Sequence, residues 1–315
     1  MPEFSIIIPL YNKEKDIAKT LNSLFLQTET DYEIVLVNDG STDGSEAVVQ
    51  QFDDPRIKYF TKENEGVSKT RNFAVTKASS EHIVFLDADD YWHPNHLENL
   101  LDLITTFPDA TWYATAYEKR HHRSFITPML SPILEKGKHW KGLVPNYFEN
   151  SLIDSLAWTS AVCFKKAFFE KLQGFDTAIT HGAGEDTDLW IRAALQEPIA
   201  FTCLITARHN LDGSNRISHT PTLIRKFMDL DVYEAEAKHH PGLKKYLDLN
   251  RFSFAMQHKM AGDHTTYKHF VQKIDLQNLT KKQRYILKQP KQLLHLILKG
   301  KALVEKLGVR LTSFN

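Results

Sequence analysis

Four short apolar runs, Phe4 to Pro9, Glu33 to Asn38, Ile57 to Thr61 and His82 to Asp87, alternate with stretches whose apolar residues recur every three or four positions. Ile, Val, Phe and Tyr dominate the runs, which have the length and residue types of buried strands. Between them Ile17, Leu21, Leu24 and Phe25 mark one amphipathic helix, Val67, Phe73, Ala74 and Ala78 a looser one, and Leu97, Leu100, Leu101 and Ile104 a third. This β-α-β-α alternation predicts an α/β, nucleotide-binding type of fold, with a mostly parallel sheet, right-handed crossovers and flanking helices.

Residues 118 to 155, with clustered His, Pro and Gly, read as loops laid over the sheet. Order is predicted again at Ala157 to Phe164, in a helix from Lys165, and in a helix from Asp186 to Gln196 that follows the glycines at 182 and 184. Ile199 to Ala207 reads as a late strand. From Thr222 the pattern is helical almost to the end, interrupted at Pro241-Gly242 and Pro290. With 315 residues the chain is long enough for one large domain, 1–220, and a helical extension, 221–315.

Net charge is zero, yet residues 273–315 carry ten Lys and Arg against two acids, so the first 272 residues sum to −8. A basic tail behind an acidic body points to an anionic surface for the tail. Leu293, Leu294, Ile297, Leu298, Leu303, Val304 and Leu307 recur with roughly helical spacing among Lys291, Lys299, Lys301, Lys306 and Arg310. Such a basic amphipathic helix, spanning 291–311, can lie peripherally on an anionic membrane or pack against the body with its basic face solvated. Without a signal-peptide pattern at Met1 to Ser5 or an apolar run of roughly 20 residues, the expected location is cytoplasmic, with membrane contact at the inner face. The tail lacks the interleaved aromatics of a nucleic-acid partner. Cys163 and Cys203 fit two buried thiols better than a disulfide or zinc site.

Chemistry-bearing residues gather just past the apolar runs, where open α/β sheets bind ligands. Asp87 and Asp89 flank Ala88 after Ile83-Val84-Phe85-Leu86, so both carboxylates can share one cation such as Mn²⁺ or Mg²⁺ at that strand's carboxyl end. Asp39, in Asp39-Gly40-Ser41-Thr42-Asp43-Gly44, can accept from a base N–H. Asp43 there also fits a plain helix cap. Tyr11 can stack on the base, and Arg71 can bring positive charge to base or diphosphate, or simply be solvated. Asp186 opens a helix after a glycine-rich loop and suits a general base, with Glu185 and Asp188 as backups and capping as the plain alternative. Trp158 and Trp190 offer flat rings to a sugar, although core packing is their commoner role. The doublets His121-His122 and His239-His240 lack helical metal-ligand spacing and read as surface.

Taken together, Ser5-Ile6-Ile7-Ile8-Pro9-Leu10-Tyr11-Asn12, Val37-Asn38-Asp39-Gly40-Ser41-Thr42-Asp43, Asn64-Glu65-Gly66 with Arg71-Asn72, Leu86 to Trp92, and Gly174-Phe175-Asp176 with Gly184 to Trp190 resemble the inverting glycosyltransferases of family 2, whose fold is called GT-A. The resemblance covers roughly residues 4–220. It implies a nucleotide-sugar donor, most often a UDP-sugar, and a glycan or lipid-linked acceptor. It implies a base pocket of Pro9, Tyr11, Glu14 and Asp39, with Arg71 near base and phosphates. Asp87, Ala88 and Asp89 would meet ribose and metal, Glu185-Asp186 would be the acidic pair with Asp186 as base, and His209 would help hold metal or diphosphate.

Other readings fit less well. A sugar-phosphate nucleotidyltransferase would want glycines where Asn12-Lys13-Glu14-Lys15 stands. A dinucleotide oxidoreductase would want Gly-X-Gly-X-X-Gly after the first strand. A non-catalytic nucleotide-sugar sensor would have no use for Asp186.

Overall fold

The computed structural model describes residues 1–122 and 125–306. They form two compact units, one comprising 1–150, 154–219 and 226–228, the other 151–153, 220–225 and the chain from 229 onward.

The first unit is built on a ten-stranded sheet. Strands β1 (Phe4–Leu10), β2 (Tyr32–Asp39), β3 (Ile57–Lys62) and β4 (His82–Phe85) lie in the order β3-β2-β1-β4, all parallel. Every residue of β1, β2 and β4 is buried, which explains why these strands read as continuous apolar runs rather than alternating ones. Helices α1 (Ile17–Phe25), α2 (Ser45–Val49) and α3 (Val67–Lys77) provide the crossovers. Ile17, Leu21 and Leu24 of α1 are wholly buried, as their spacing requires.

The two-residue β5 (Tyr91–Trp92) and α4 (His96–Thr106) follow β4. Residues 118–155, expected as loops, instead extend the sheet. Strand β6 (Trp112–His122) pairs with β7 (Phe125–Pro128), and β8 (Lys141–Val144) pairs with β10 (Ile199–Asn210). Beyond Tyr117 the β6 sequence is Glu118-Lys119-Arg120-His121-His122, polar on both faces, so neither an apolar run nor an alternation announces it. Helix α5 (Tyr147–Asn150) closes this segment.

Strand β9 (Val162–Lys165) interrupts the parallel arrangement, lying between β4 and β6 and antiparallel to both. Helices α6 (Lys166–Lys171) and α7 (Glu185–Ala194) then lead to β10, which runs parallel to β6 and antiparallel to β5. Trp190 of α7 is core: its ring stacks on Phe164 and Trp112 at centroid distances of 5.7 and 6.4 Å. Both cysteines are buried free thiols.

The second unit is helical, with α8 (Glu234–Ala237), α9 (Pro241–Ala261), α10 (His264–Gln272), α11 (Lys281–Lys288) and α12 (Lys291–Lys306). Pro241 does not interrupt α9 but begins it, at the one position where a missing N–H costs nothing. His240 Nδ1 accepts from the Leu243 N–H and caps the same helix. Leu249, Phe252, Ala255, Ile274, Leu279 and Leu287 make this unit's core. Arg251, fully buried, is offset by Asp231, Glu234 and Asp248 at 2.9, 2.5 and 3.3 Å. Helix α12 anchors through Leu294, whereas Leu296, Ile297 and Leu298 are exposed. Leu307 and Arg310 of the predicted amphipathic helix lie outside the described residues. No described helix is long and apolar enough to cross a membrane.

Candidate active site

The carboxyl end of β4 carries three aspartates with three different surroundings. Asp90 is structural. Its Oδ2 accepts from Ser160 Oγ at 2.7 Å and its Oδ1 from the Asn210 N–H at 3.0 Å, tying the ends of β4 and β10 to the segment before β9. Complete burial, reinforced by the charges of Asp89 and Asp87, pushes its carboxyl far above the usual range. The Ala88 carbonyl accepts from Thr20 Oγ1, which fixes the turn between the other two.

Asp89 accepts from Lys13 Nζ at 2.6 Å, and its carboxyl is raised by burial against the opposing pull of Lys13. Asp87 Oδ1 takes Arg71 Nη2 at 2.6 Å. The same guanidinium donates through Nη1 to Asp186 Oδ1 at 3.2 Å and lies 5.0 Å over the Phe175 ring. Arg71 is therefore not a solvated helix-face residue but a buried clamp between two carboxylates. Burial works against its charge, and Asp87 and Asp186 outweigh that cost and keep it protonated.

Asp186 stands in the first turn of α7. Gly184 precedes it at φ +111, where a Cβ would stand 2.7 Å from Met228 Sδ, so only glycine lets the helix start there. Thr159 Oγ1 donates to Asp186 Oδ2 at 2.6 Å. Held on both oxygens, the Asp186 side chain is still 37% exposed. Its carboxyl is raised by burial and lowered by Arg71 and Thr159. Glu185 faces inward, with Oε2 buried and unpartnered; burial and then the Asp186 charge push its carboxyl up to about 7. Asp188 is committed to Arg192 at 2.6 Å.

On the expected base pocket, Tyr11 is 41% exposed and open to stack. Pro9 is buried in β1. Glu14 Oε2 accepts from the Gly44 N–H and braces the two strand-end loops together. Asp43 accepts from the N–H groups of Ser45 and Glu14. Asp39 accepts from Lys62 Nζ at 2.6 Å and from the N–H groups of Glu65 and Gly66 at 3.0 and 2.9 Å. Those three bonds leave one of the roughly four acceptor positions of a carboxylate for a base N–H.

His209 stacks on Trp158 at 4.8 Å, and Tyr117 packs against the same indole at 4.7 Å. Its Nε2 lies 3.2 Å from Arg216 Nη2 and accepts from it. Burial, with Arg216 and Lys119 nearby, drives the imidazole down to about 3, so it is neutral at ordinary pH. Among the described residues no three His, Cys, Asp or Glu side chains form a group able to hold a metal ion. Asp87 and Asp89 do fit a hard cation that completes its shell with water and phosphate oxygens, and the Lys13 ammonium at 2.6 Å stands in for such a charge. A separate cavity of 620 Å³, lined by His93, Glu118, Leu134, Cys203 and Ile205 among others, contains none of these site residues.

Lys13, Thr159, Ser160 and Arg216 are site residues that the motifs did not single out. For two of them the sequence offers adjacency as a signal, Lys13 to Glu14 and Thr159 to Trp158.

A family model described as glycosyl transferase family 2 matches residues 5–172, more than half of the chain. The chain belongs to glycosyltransferase family 2. An uncharacterised glycosyltransferase of Rickettsia conorii is 30% identical over 68% of this chain and 35% of its own length. An Escherichia coli protein named UDP-Glc:alpha-D-GlcNAc-diphosphoundecaprenol beta-1,3-glucosyltransferase is 34% identical over 41% of this chain and 51% of its own. The chain thus spans only about a third to a half of these two relatives. Residues 1–349 of S. aureus TarS, crystallised with UDP-GlcNAc, superpose with a TM-score of 0.63 at 20% identity, covering 90% of this chain and 86% of that one. That likeness identifies the fold as GT-A.

Proposed function

We propose that this glycosyltransferase moves a sugar from a nucleotide-sugar of the UDP type to a hydroxyl of a glycan or lipid-linked acceptor, by direct displacement with inversion and with Asp186 as general base. The observation that carries the reading is the Asp87–Arg71–Asp186 bridge, which puts a partly exposed carboxylate beside the strand end suited to a diphosphate. The UDP-named relative and the UDP-GlcNAc complex of TarS support the donor class.

In the reaction the acceptor oxygen bonds to the anomeric carbon as its proton passes to an Asp186 oxygen. The bond to the diphosphate breaks, and its electron pair leaves with the diphosphate. Arg71 and Thr159 aim Asp186, and both bonds favour its carboxylate form against the burial that raises the carboxyl on balance. Trp158, partly exposed next to Thr159, offers its ring to the acceptor. A divalent Mn²⁺ or Mg²⁺ held by Asp89 and Asp87 would supply positive charge to the leaving diphosphate. Asp39, Tyr11, Pro9 and Glu14 would line the base pocket.

The second unit supports work at the inner membrane face. Residues 281–306 hold eight Lys and Arg against Glu305 alone, and Tyr285, Leu296 and Leu298 are exposed among them.

The test is nucleotide release from a panel of UDP-, GDP- and dTDP-sugars with a mixed acceptor, with Mn²⁺ and with chelator, for wild type, Asp186→Asn and Asp89→Ala. Release from one UDP-sugar, at least about 100-fold slower in Asp186→Asn with donor binding intact, is expected. Full turnover by Asp186→Asn would assign the base elsewhere, and failure to bind any nucleotide would overturn the donor reading.

A further inference from the structure

Three bonds converge on one ammonium. Lys13 Nζ lies 2.6 Å from Asp89 Oδ2, 2.5 Å from the Ser214 carbonyl oxygen and 3.3 Å from that of Asn215. The same charge thus offsets Asp89 and fastens the segment 211–216, which follows β10, against that carboxylate. Gly213 measures how tightly: a Cβ there would stand 2.7 Å from Asp89 Oδ2. Asp16 adds a second fastening, accepting from the Ser214 N–H at 2.9 Å and from its hydroxyl.

Lys13 and Asp89 side chains are 12% and 14% exposed, so water screens this pair little. A divalent ion entering at Asp89 meets the like charge of the ammonium against the same carboxylate. Ion and ammonium therefore compete for one carboxylate, and the segment is tied to one of the two competitors.

We propose that Lys13 is the resident counter-cation of Asp89, that it is displaced when a divalent ion enters, and that its displacement removes one of the two fastenings of residues 211–216 and loosens the segment. Lys13 then sets how tightly the site takes the ion. The proposal rests on the reading that Asp89 receives a divalent ion. Linkage makes the coupling reciprocal: whatever factor the fastened segment takes from ion affinity, the bound ion returns by loosening the segment.

Mn²⁺ binding to the full chain, without nucleotide, is followed by the electron paramagnetic resonance of free Mn²⁺. Amide hydrogen exchange across 213–215 is measured in parallel. Lys13→Met is expected to bind Mn²⁺ at least about tenfold more tightly, the scale of one lost charge-assisted bond, and to exchange faster at 213–215 without metal. Lys13→Arg keeps the charge and should not gain affinity. In wild type, saturating Mn²⁺ should speed exchange in the same segment. A folded Lys13→Met with unchanged or weaker Mn²⁺ affinity overturns the proposal, as does wild-type exchange that Mn²⁺ leaves unaltered. The latter measurement decides the matter alone if Lys13→Met does not fold. Asp89→Asn separates the two possible failures. If it binds Mn²⁺ like wild type, the ion site is elsewhere and the underlying reading falls; if it loses Mn²⁺ while Lys13→Met gains nothing, only the role of Lys13 falls.

Discussion

Glu185→Gln should stabilise the protein in a strongly pH-dependent way. Glu185 is 5% exposed, and no partner meets its Oε2. Its carboxyl rises from an ordinary 4.5 to about 7, because burial penalises the charged form and Asp186 adds a like charge. A carboxyl raised on folding makes the folded chain bind the extra proton between these two values. Stability therefore falls as pH climbs from 4.5 to 7, and the whole penalty stands above 7. Its size is (7 − 4.5) × 1.36, or about 3 kcal/mol. Glutamine keeps the shape and cannot ionise. The variant should match wild type near pH 4, gain about 3 kcal/mol at pH 8, and melt roughly 6 °C higher there. Urea unfolding at several pH values, followed by circular dichroism, measures it. An equal gain at every pH would mean that packing, not charge, is responsible. A loss confined to pH 8 would mean that the ionised carboxylate is used, and the argument would be refuted.

Arg71→Met leaves Asp87 and Asp186 facing each other without their shared cation. It should cost about 3 kcal/mol, the low end for a broken buried pair because both carboxylates are about one-third exposed. With the cation gone the Asp186 carboxyl rises further, so the acidic limb of the pH–rate profile should move to higher pH, and an unmoved limb would detach Arg71 from the base. For the tail, the full chain should sediment with vesicles containing about 30% anionic lipid and release at high salt, whereas a chain ending before Pro290 should bind them much more weakly. Equal binding by the two would remove α12 from any membrane role.

The strand ends that carry the proposed donor residues were legible because β1, β2 and β4 are buried on both faces, so each apolar run ends visibly where its polar residues begin. Asp186 was legible from its glycines, since a left-handed helix start needs Gly184. Lys13 was not: beside Lys15 in a wholly polar stretch it looks like any solvated lysine, and its partners are 76 and 201 residues away. Arg71 was seen as a candidate, but its place between two carboxylates depends on a contact 115 residues off. The far half of β6, 118–122, was hidden by polar side chains on both of its faces, and Thr159 and Ser160 by being short and ordinary.

Strand β9 runs against its two neighbours, and the approach to it supplies what they cannot. Parallel strands present only their last residues at the binding edge; a reversed strand presents its first. Thr159 and Ser160 arrive that way, one steering Asp186 and the other securing Asp90. Trp158 is next to them in the same short stretch, its ring packed against Tyr117 and His209. Under the proposed function, acceptor contact and catalytic alignment fall on consecutive residues, Trp158 for the first and Thr159 and Ser160 for the second, all delivered by the approach to the one reversed strand.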